Sequence, residues 1–255
     1  MRTILISVGG AFALLALAAC GGGETAATQG APVTEPAAQP LPQGGEPVEL
    51  DPADFTNEID NPYWPMAPGS RWVYRETDAE GTVQRVEVTV TDRKKTITGI
   101  DALVVHDQVT EDGELVEDTF DWYAQDSDGN VWYLGEDTTE FENGKPKTKE
   151  GSWEHGVDGA YAGIIVPANP APGLAYREEY YEGHAEDMAE VLSTTATAKV
   201  PFGAFEDALQ TRNTTPLEPN LVEEKFYAEG VGVVLALTIS GGSDREELVR
   251  FERGR

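Results

Sequence analysis

Two short stretches bring ligand-type side chains together. In "DSDGNVWYLGED" (126–137), Asp126, Asp128 and Asn130 alternate, with Glu136 and Asp137 beyond, and hard cations such as calcium take oxygen donors of this kind. Glycine follows the second acidic position rather than the third, so the spacing departs from an EF-hand loop, and an Asp-Gly hairpin turn accounts for the same residues. In "YYEGHAEDMAE" (180–190), a strand would put Glu182, His184 and Glu186 on one face, and a helix would do so for Glu186 and Glu190. Either geometry could seat a metal that activates water for hydrolysis. With 46 acidic residues in the chain, a solvated edge also accounts for carboxylates beside a lone histidine.

The second kind of candidate is aromatic. Trp122 and Tyr123 stand before the "DSDGN" turn and Trp132 and Tyr133 after it, and strand alternation sends one ring of each pair to each face. Rings left off the core would form a platform for an apolar or amphipathic ligand, whereas cross-strand packing would use them up. "NPYWPMAPGSRWVY" (61–74) adds Tyr63, Trp64 and Met66 between prolines that exclude helix, so these side chains must either plug one end of a sheet structure or stand at its mouth. Tyr63, Trp64, Trp132 and Tyr133 are thus the expected ligand contacts. No Gly-x-Ser-x-Gly elbow, His-Glu-x-x-His or P-loop is present, and the three histidines lie in separate segments. The pattern points to a binding or carrier module, with a metal-assisted hydrolase or a calcium-stabilised structural domain as the alternatives.

The elements that must position these residues read as strands. From Asp51 onward, short runs of Val, Thr, Tyr, Trp and Phe alternate with charges and are cut by Gly, Asp, Asn and Pro, as in 82–90, 102–109, 114–125 and 131–136. The best helix-former stretch, "HAEDMAEVL" (184–192), has room for a turn or two. The halves also answer each other. "NPYWPMAPGSRWVYRE" is matched by "NPAPGLAYREEYY", "TGIDALVVHD" by "FGAFEDALQTRN", and "DTFDWYAQDSDGNVWYL" by "EEKFYAEGVGVVLAL". The expectation is an all-β antiparallel domain over 51–255, built of two tandem five-strand repeats (about 61–140 and 169–252). It would close as a barrel or fold as two packed curved sheets.

The N-terminus gives an address. Arg2 and an apolar run from Ile4 to Ala19 form a secretory signal, too short for a span of about 20 residues. Leu17-Ala18-Ala19-Cys20 resembles the lipobox of bacterial lipoproteins. That resemblance implies removal of residues 1–19 and acylation of Cys20, and hence anchoring to a membrane of the bacterial cell envelope. Residues 20–50, rich in Gly, Ala, Pro, Thr and Gln, read as a disordered tether. Cys20 is the chain's one cysteine, so the exported domain rests on its core without disulfides. A net charge of −28 repels phosphate backbones and excludes nucleic acid as a partner. No cofactor is called for beyond the calcium considered above, and the partner is a small-molecule ligand or an envelope protein.

The stretches "NPYWPMAPGSRWVY", "DWYAQDSDGNVWYLGED" and "PFGAFEDALQT" with "EEKFYAEGVGVV" together resemble a group of uncharacterised bacterial secreted proteins and lipoproteins. The resemblance covers most of residues 55–240 and implies an exported β domain with no established activity. The last of these stretches also resembles curved antiparallel sheets of periplasmic lipoprotein carriers.

Overall fold

The computed structural model describes residues 40–255. Residues 1–39, with the signal, Cys20 and most of the expected tether, lie outside the described residues. Sixteen strands follow in order: β1 (Phe55–Thr56), β2 (Arg71–Thr77), β3 (Val83–Ile97), β4 (Ile100–Glu111), β5 (Glu114–Asp126), β6 (Val131–Glu142), β7 (Lys145–Thr148) and β8 (Trp153–Glu154). The second half holds β9 (Tyr161–Val166), β10 (Ala175–Arg177), β11 (Glu179–Tyr180), β12 (Met188–Val200), β13 (Gly203–Thr214), β14 (Val222–Ala228), β15 (Gly232–Ser240) and β16 (Arg245–Glu252). Among the described residues the helical content is one 3-10 turn, Pro52–Asp54, capped by Asp51 Oδ1 accepting from Ala53 N at 2.9 Å.

All pairings are antiparallel, and the sheet runs β10-β12-β13-β14-β15-β16-β2-β3-β4-β5-β6-β9-β11. Its first and last strands are neighbours in sequence, separated by Glu178 alone, so the two edges come round to meet and the sheet is nearly closed into a barrel. Arg177, fully buried, ties the seam. Its Nη2 donates to Ala162 O on β9 at 2.8 Å, and its Nη1 donates to Glu46 O at 2.8 Å and to Gly44 O. Guanidinium suits this place because its rigid fork reaches several carbonyls at once.

The hairpin series follows from turn chemistry. Thr98 and Gly99 at φ 47° and 94° join β3 to β4, and Asp112 and Gly113 at 50° and 85° join β4 to β5, both two-residue turns that need positive φ twice. Between β5 and β6, Asp126 N donates to Asn130 O at 3.0 Å around Gly129. The strands expected at 82–90, 102–109, 114–125 and 131–136 correspond to β3, β4, β5 and β6, the first starting one residue later, at Val83.

Two expectations change. "HAEDMAEVL" forms no helix: Met188 begins a strand paired with both Arg177 and Thr214, and these partners on each side outweigh a weak local helix preference. Residues 41–46, which composition assigns to the tether, lie against β10. Pro42 O accepts from Arg177 N at 2.7 Å, Gln43 Nε2 donates to Ala175 O at 2.6 Å, and Leu41 packs on the core. Polar composition concealed this because much of the contact is made by backbone carbonyls, Pro42 O, Gly44 O and Glu46 O.

Candidate functional site

The strands enclose a lumen that is aromatic and apolar at one end and acidic at the other. Residues 57–70 bring Trp64 to the aromatic end. Asn61, 3% exposed, anchors that loop: its backbone N donates to Gln125 Oε1 at 2.9 Å, its Nδ2 donates to Gly129 O at 3.0 Å, and its Oδ1 accepts from Tyr63 N at 3.0 Å. Trp64 then stacks on Trp72 at 5.6 Å and meets Tyr227 edge-on at 6.2 Å, with Met66 buried nearby. Above Trp64 lies a cavity of about 180 Å³ walled by Tyr74, Val86, Val88, Val105, Tyr123, Tyr227 and Val233.

A second cavity of about 450 Å³ adjoins the first and shares Val86, Asp107, Asp121, Tyr123 and Lys225 with it. Thirteen of its lining residues are Asp or Glu and two are Lys, so its field is strongly negative. The carboxyls come from alternate positions on several strands: Asp107 and Glu111 on β4, Glu117 and Asp121 on β5, Glu136, Glu140 and Glu142 on β6, and Glu246 on β16. The seam contributes Glu178, Glu179 and Asp187, and β14 contributes Lys225.

Desolvation, and then the crowding of like charges, favours the protonated form of Asp107, Asp121, Glu136 and Glu246 among them. Desolvation, with Glu117 nearby, pushes Asp121 up to about 7, and desolvation with Glu76 nearby pushes Glu246 up to about 8. Glu136 stands well above the carboxylate range through desolvation and then Glu179 and Asp121, and Asp107 through desolvation and then Asp121 and Glu246. Desolvation alone would lower Lys225, but Glu178, Tyr227, Glu223 and Asp187 outweigh it and keep the ammonium charged.

One contact displays a shared proton in its geometry. The Tyr133 hydroxyl stands 2.7 Å from Asp121 Oδ1 and 2.8 Å from Glu136 Oε2, both hydrogen-bond distances. The phenol has one hydrogen and can donate to one of them, so the other contact requires a carboxylic acid donating to the phenolic oxygen. The trio therefore holds a proton that isolated carboxyls would have released at neutral pH.

The expected site residues divide. Trp64 and Tyr133 line the lumen, and Tyr133 stacks on Tyr123 at 4.9 Å across β5 and β6. Trp132 faces the other side of the sheet, where Phe55 covers it edge-on at 6.0 Å. Tyr63 is half-buried in the closing loop and lines neither cavity.

Asp126, Asp128 and Asn130 form the β5–β6 turn. Asp126 accepts from Asp128 N, Asn130 N, Asn130 Nδ2 and Trp132 Nε1 at 2.7–3.0 Å, while Asn130 Oδ1 accepts from Ala168 N at 2.8 Å. Glu182 and His184 are exposed, His184 stacks on Tyr181 at 4.4 Å, and Glu186 Oε1 accepts from Gly183 N at 2.7 Å. Among the described residues no group of three or more His, Cys, Asp or Glu is arranged to hold a metal ion. The lumen acids Asp107, Asp121, Glu178, Glu179, Asp187 and Glu246 went unmarked in the sequence. The available signal was acids spaced two or four residues apart, and so on one face, along β4, β5 and β6.

No protein-family model matches the chain, and no curated protein matches it. Two solved structures are similar. One is a Bacteroides fragilis protein described as exported and of YmcC-like fold, 16% identical over 75% of this chain and 99% of that one, with a TM-score of 0.45. The other is a Parabacteroides distasonis protein described as a lipoprotein, 11% identical over 74% and 98% of the two chains, with a TM-score of 0.42.

Proposed function

We propose that the chain is an exported, lipid-anchored binding or carrier module of the bacterial cell envelope, whose lumen holds a small apolar or amphipathic ligand. The observation that carries this reading is the pair of adjoining cavities, about 450 and 180 Å³, inside a barrel whose aromatic end is sealed by Trp64. That volume falls in the range of small-molecule sites, roughly 300–1,000 Å³, and the juxtaposed apolar and charged walls suit a molecule with two unlike ends. Binding needs no reacting group, and none of the lumen side chains has to act as a nucleophile.

Native mass spectrometry of the full protein, extracted from its own membrane, tests this. A bound small molecule is expected, and Ala236→Trp, which fills the apolar cavity, should abolish it. Absence of any retained mass, together with no binding of octyl-chain amphiphiles added back, would overturn the reading. The anchor is tested separately: Cys20→Ser should release the protein from the membrane while leaving lumen binding intact.

A further inference from the structure

We propose that the polar end of the lumen's ligand is a primary ammonium, seated against Glu178 and the acids beside it; the ligand is then an alkylamine. The inference rests on the lumen being the binding site and adds the chemistry of what it binds.

Glu178 is the first reason. It is 2% exposed and lines the acidic cavity, yet only its Oε2 is partnered, accepting from Asn213 Nδ2 at 2.7 Å. Its Oε1 is buried with no hydrogen-bond partner. Leaving such an acceptor unmade costs far more than a typical hydrogen bond contributes, and native structures rarely do so without a reason.

The unpartnered atoms of the acidic cavity are also of one kind. Asp107 Oδ1 and Asp187 Oδ1, in the same wall, are likewise buried without partners, and every unpartnered buried atom lining this cavity among the described residues is a carboxyl oxygen. Acceptors without donors call for a ligand rich in donors. An ammonium carries three N–H groups and no acceptor, and its positive charge beside these acids favours their ionised, acceptor form over the protonated form that burial alone favours. A metal ion fits less well, since no three acids are arranged to ligate one among the described residues.

The protein supplies its own example of the fit. Lys225 enters the lumen from β14 as an alkylammonium, and the negative charge of Glu178, Glu223 and Asp187 keeps it protonated. The neighbouring floor of Tyr74, Tyr123, Tyr227 and Trp64 offers an apolar surface for an alkyl chain continuing from such a head group.

Calorimetric titration of the full lipidated protein in nanodiscs, corrected with empty nanodiscs, separates the possibilities. The probes are octylammonium, 1-octanol, octanoate and butylammonium at pH 7. Octylammonium is expected to bind at least about tenfold more tightly than 1-octanol, with octanoate excluded, and Glu178→Gln should weaken octylammonium by about tenfold while leaving 1-octanol unchanged. Should Glu178→Gln fail to fold, Asp107→Asn gives the same comparison from another strand. Equal affinity for 1-octanol and octylammonium would overturn the ammonium inference and leave the amphipathic lumen standing. Butylammonium binding as tightly as octylammonium would do the reverse, and no binding by any probe would overturn both.

Discussion

Gly69 and Gly173 occupy matching places in two turns of the same geometry. Their φ angles are 86° and 87°, and each donates its N–H at 2.8 Å to a valine carbonyl, Val90 O for the first and Val191 O for the second. Ser70 N and Leu174 N close the two turns onto Ala67 O and Ala171 O at 2.9 and 3.0 Å. Further along, Leu103 pairs with Tyr123 and Leu209 with Tyr227. The expected fusion of two five-strand units would account for these equivalences, with β16 pairing to β15 on one side and β2 on the other. Gly69→Ala and Gly173→Ala should then destabilise alike, by roughly 1–2 kcal/mol each, because a Cβ meets nothing closer than 3.7 Å at either site and the cost is backbone conformation. Urea midpoints that shift for one variant and not the other would count against a shared turn.

The strands and turns were legible because their signals are local. Asp-Gly and Thr-Gly pairs set the hairpins, Pro-Gly pairs the turns into β2 and β10, and alternation set most strand interiors. The lumen was not legible, because the usual assignment of apolar residues inside and polar residues outside fails on β5. There Glu117 and Asp121 line the acidic cavity, while Trp122 on the other face lies under Lys95 Nζ, 3.2 Å from its ring centre. Both faces of β5 carry acids and rings, so period two alone cannot say which face is inward. Glu178 and Glu179 were hidden for a different reason. They enter the lumen at the seam, where β10 and β11 are too short to show any period.

Stability should fall as pH rises, the reverse of the common carboxylate case. Asp121 and Glu246 are raised to about 7 and about 8, above the roughly 4 of an unfolded chain. Between those limits the folded protein keeps protons that the unfolded chain has released. Their contribution is therefore fully present below about pH 4 and lost as pH climbs through 7 to 8. His155 works in the opposite direction, since desolvation and Arg177 lower it and the folded state resists its protonation. Several lumen acids oppose one imidazole, so urea midpoints should be higher at pH 5.5 than at pH 8.5. Asp121→Asn should flatten that slope, and a profile that rises with pH over this range would contradict the shared proton at Tyr133.

The β5–β6 turn should be indifferent to calcium. Both oxygens of Asp126 are engaged by backbone and side-chain donors within the turn and by Trp132 Nε1, so coordination would have to break bonds already made. Millimolar calcium or EDTA should leave the thermal midpoint unchanged. Asp126→Ala should lower it by more than a single hydrogen bond would explain, because four donors lose their acceptor together. A midpoint that rises with calcium in the wild type and not in the variant would restore the cation site.

Trp64 should matter to stability as much as to binding. It is 8% exposed, stacks on Trp72, and is received by Gly232, where a Cβ would sit 2.6 Å from its ring. Truncating a buried tryptophan typically costs about 3–5 kcal/mol, the lost burial adding to the void left behind. Here the void would join the apolar cavity and open the sealed end of the barrel. Trp64→Ala should therefore lower the urea midpoint strongly, and Gly232→Ala should lower it too, because its φ of 102° disfavours any Cβ and the ring has no room to retreat between Trp72 and Tyr227. Trp64→Phe should recover part of the loss by keeping a ring on Trp72. An unchanged midpoint in Trp64→Ala would mean that the loop 57–70 does not seal the barrel, and Trp64 would then be a ligand contact standing at an open mouth.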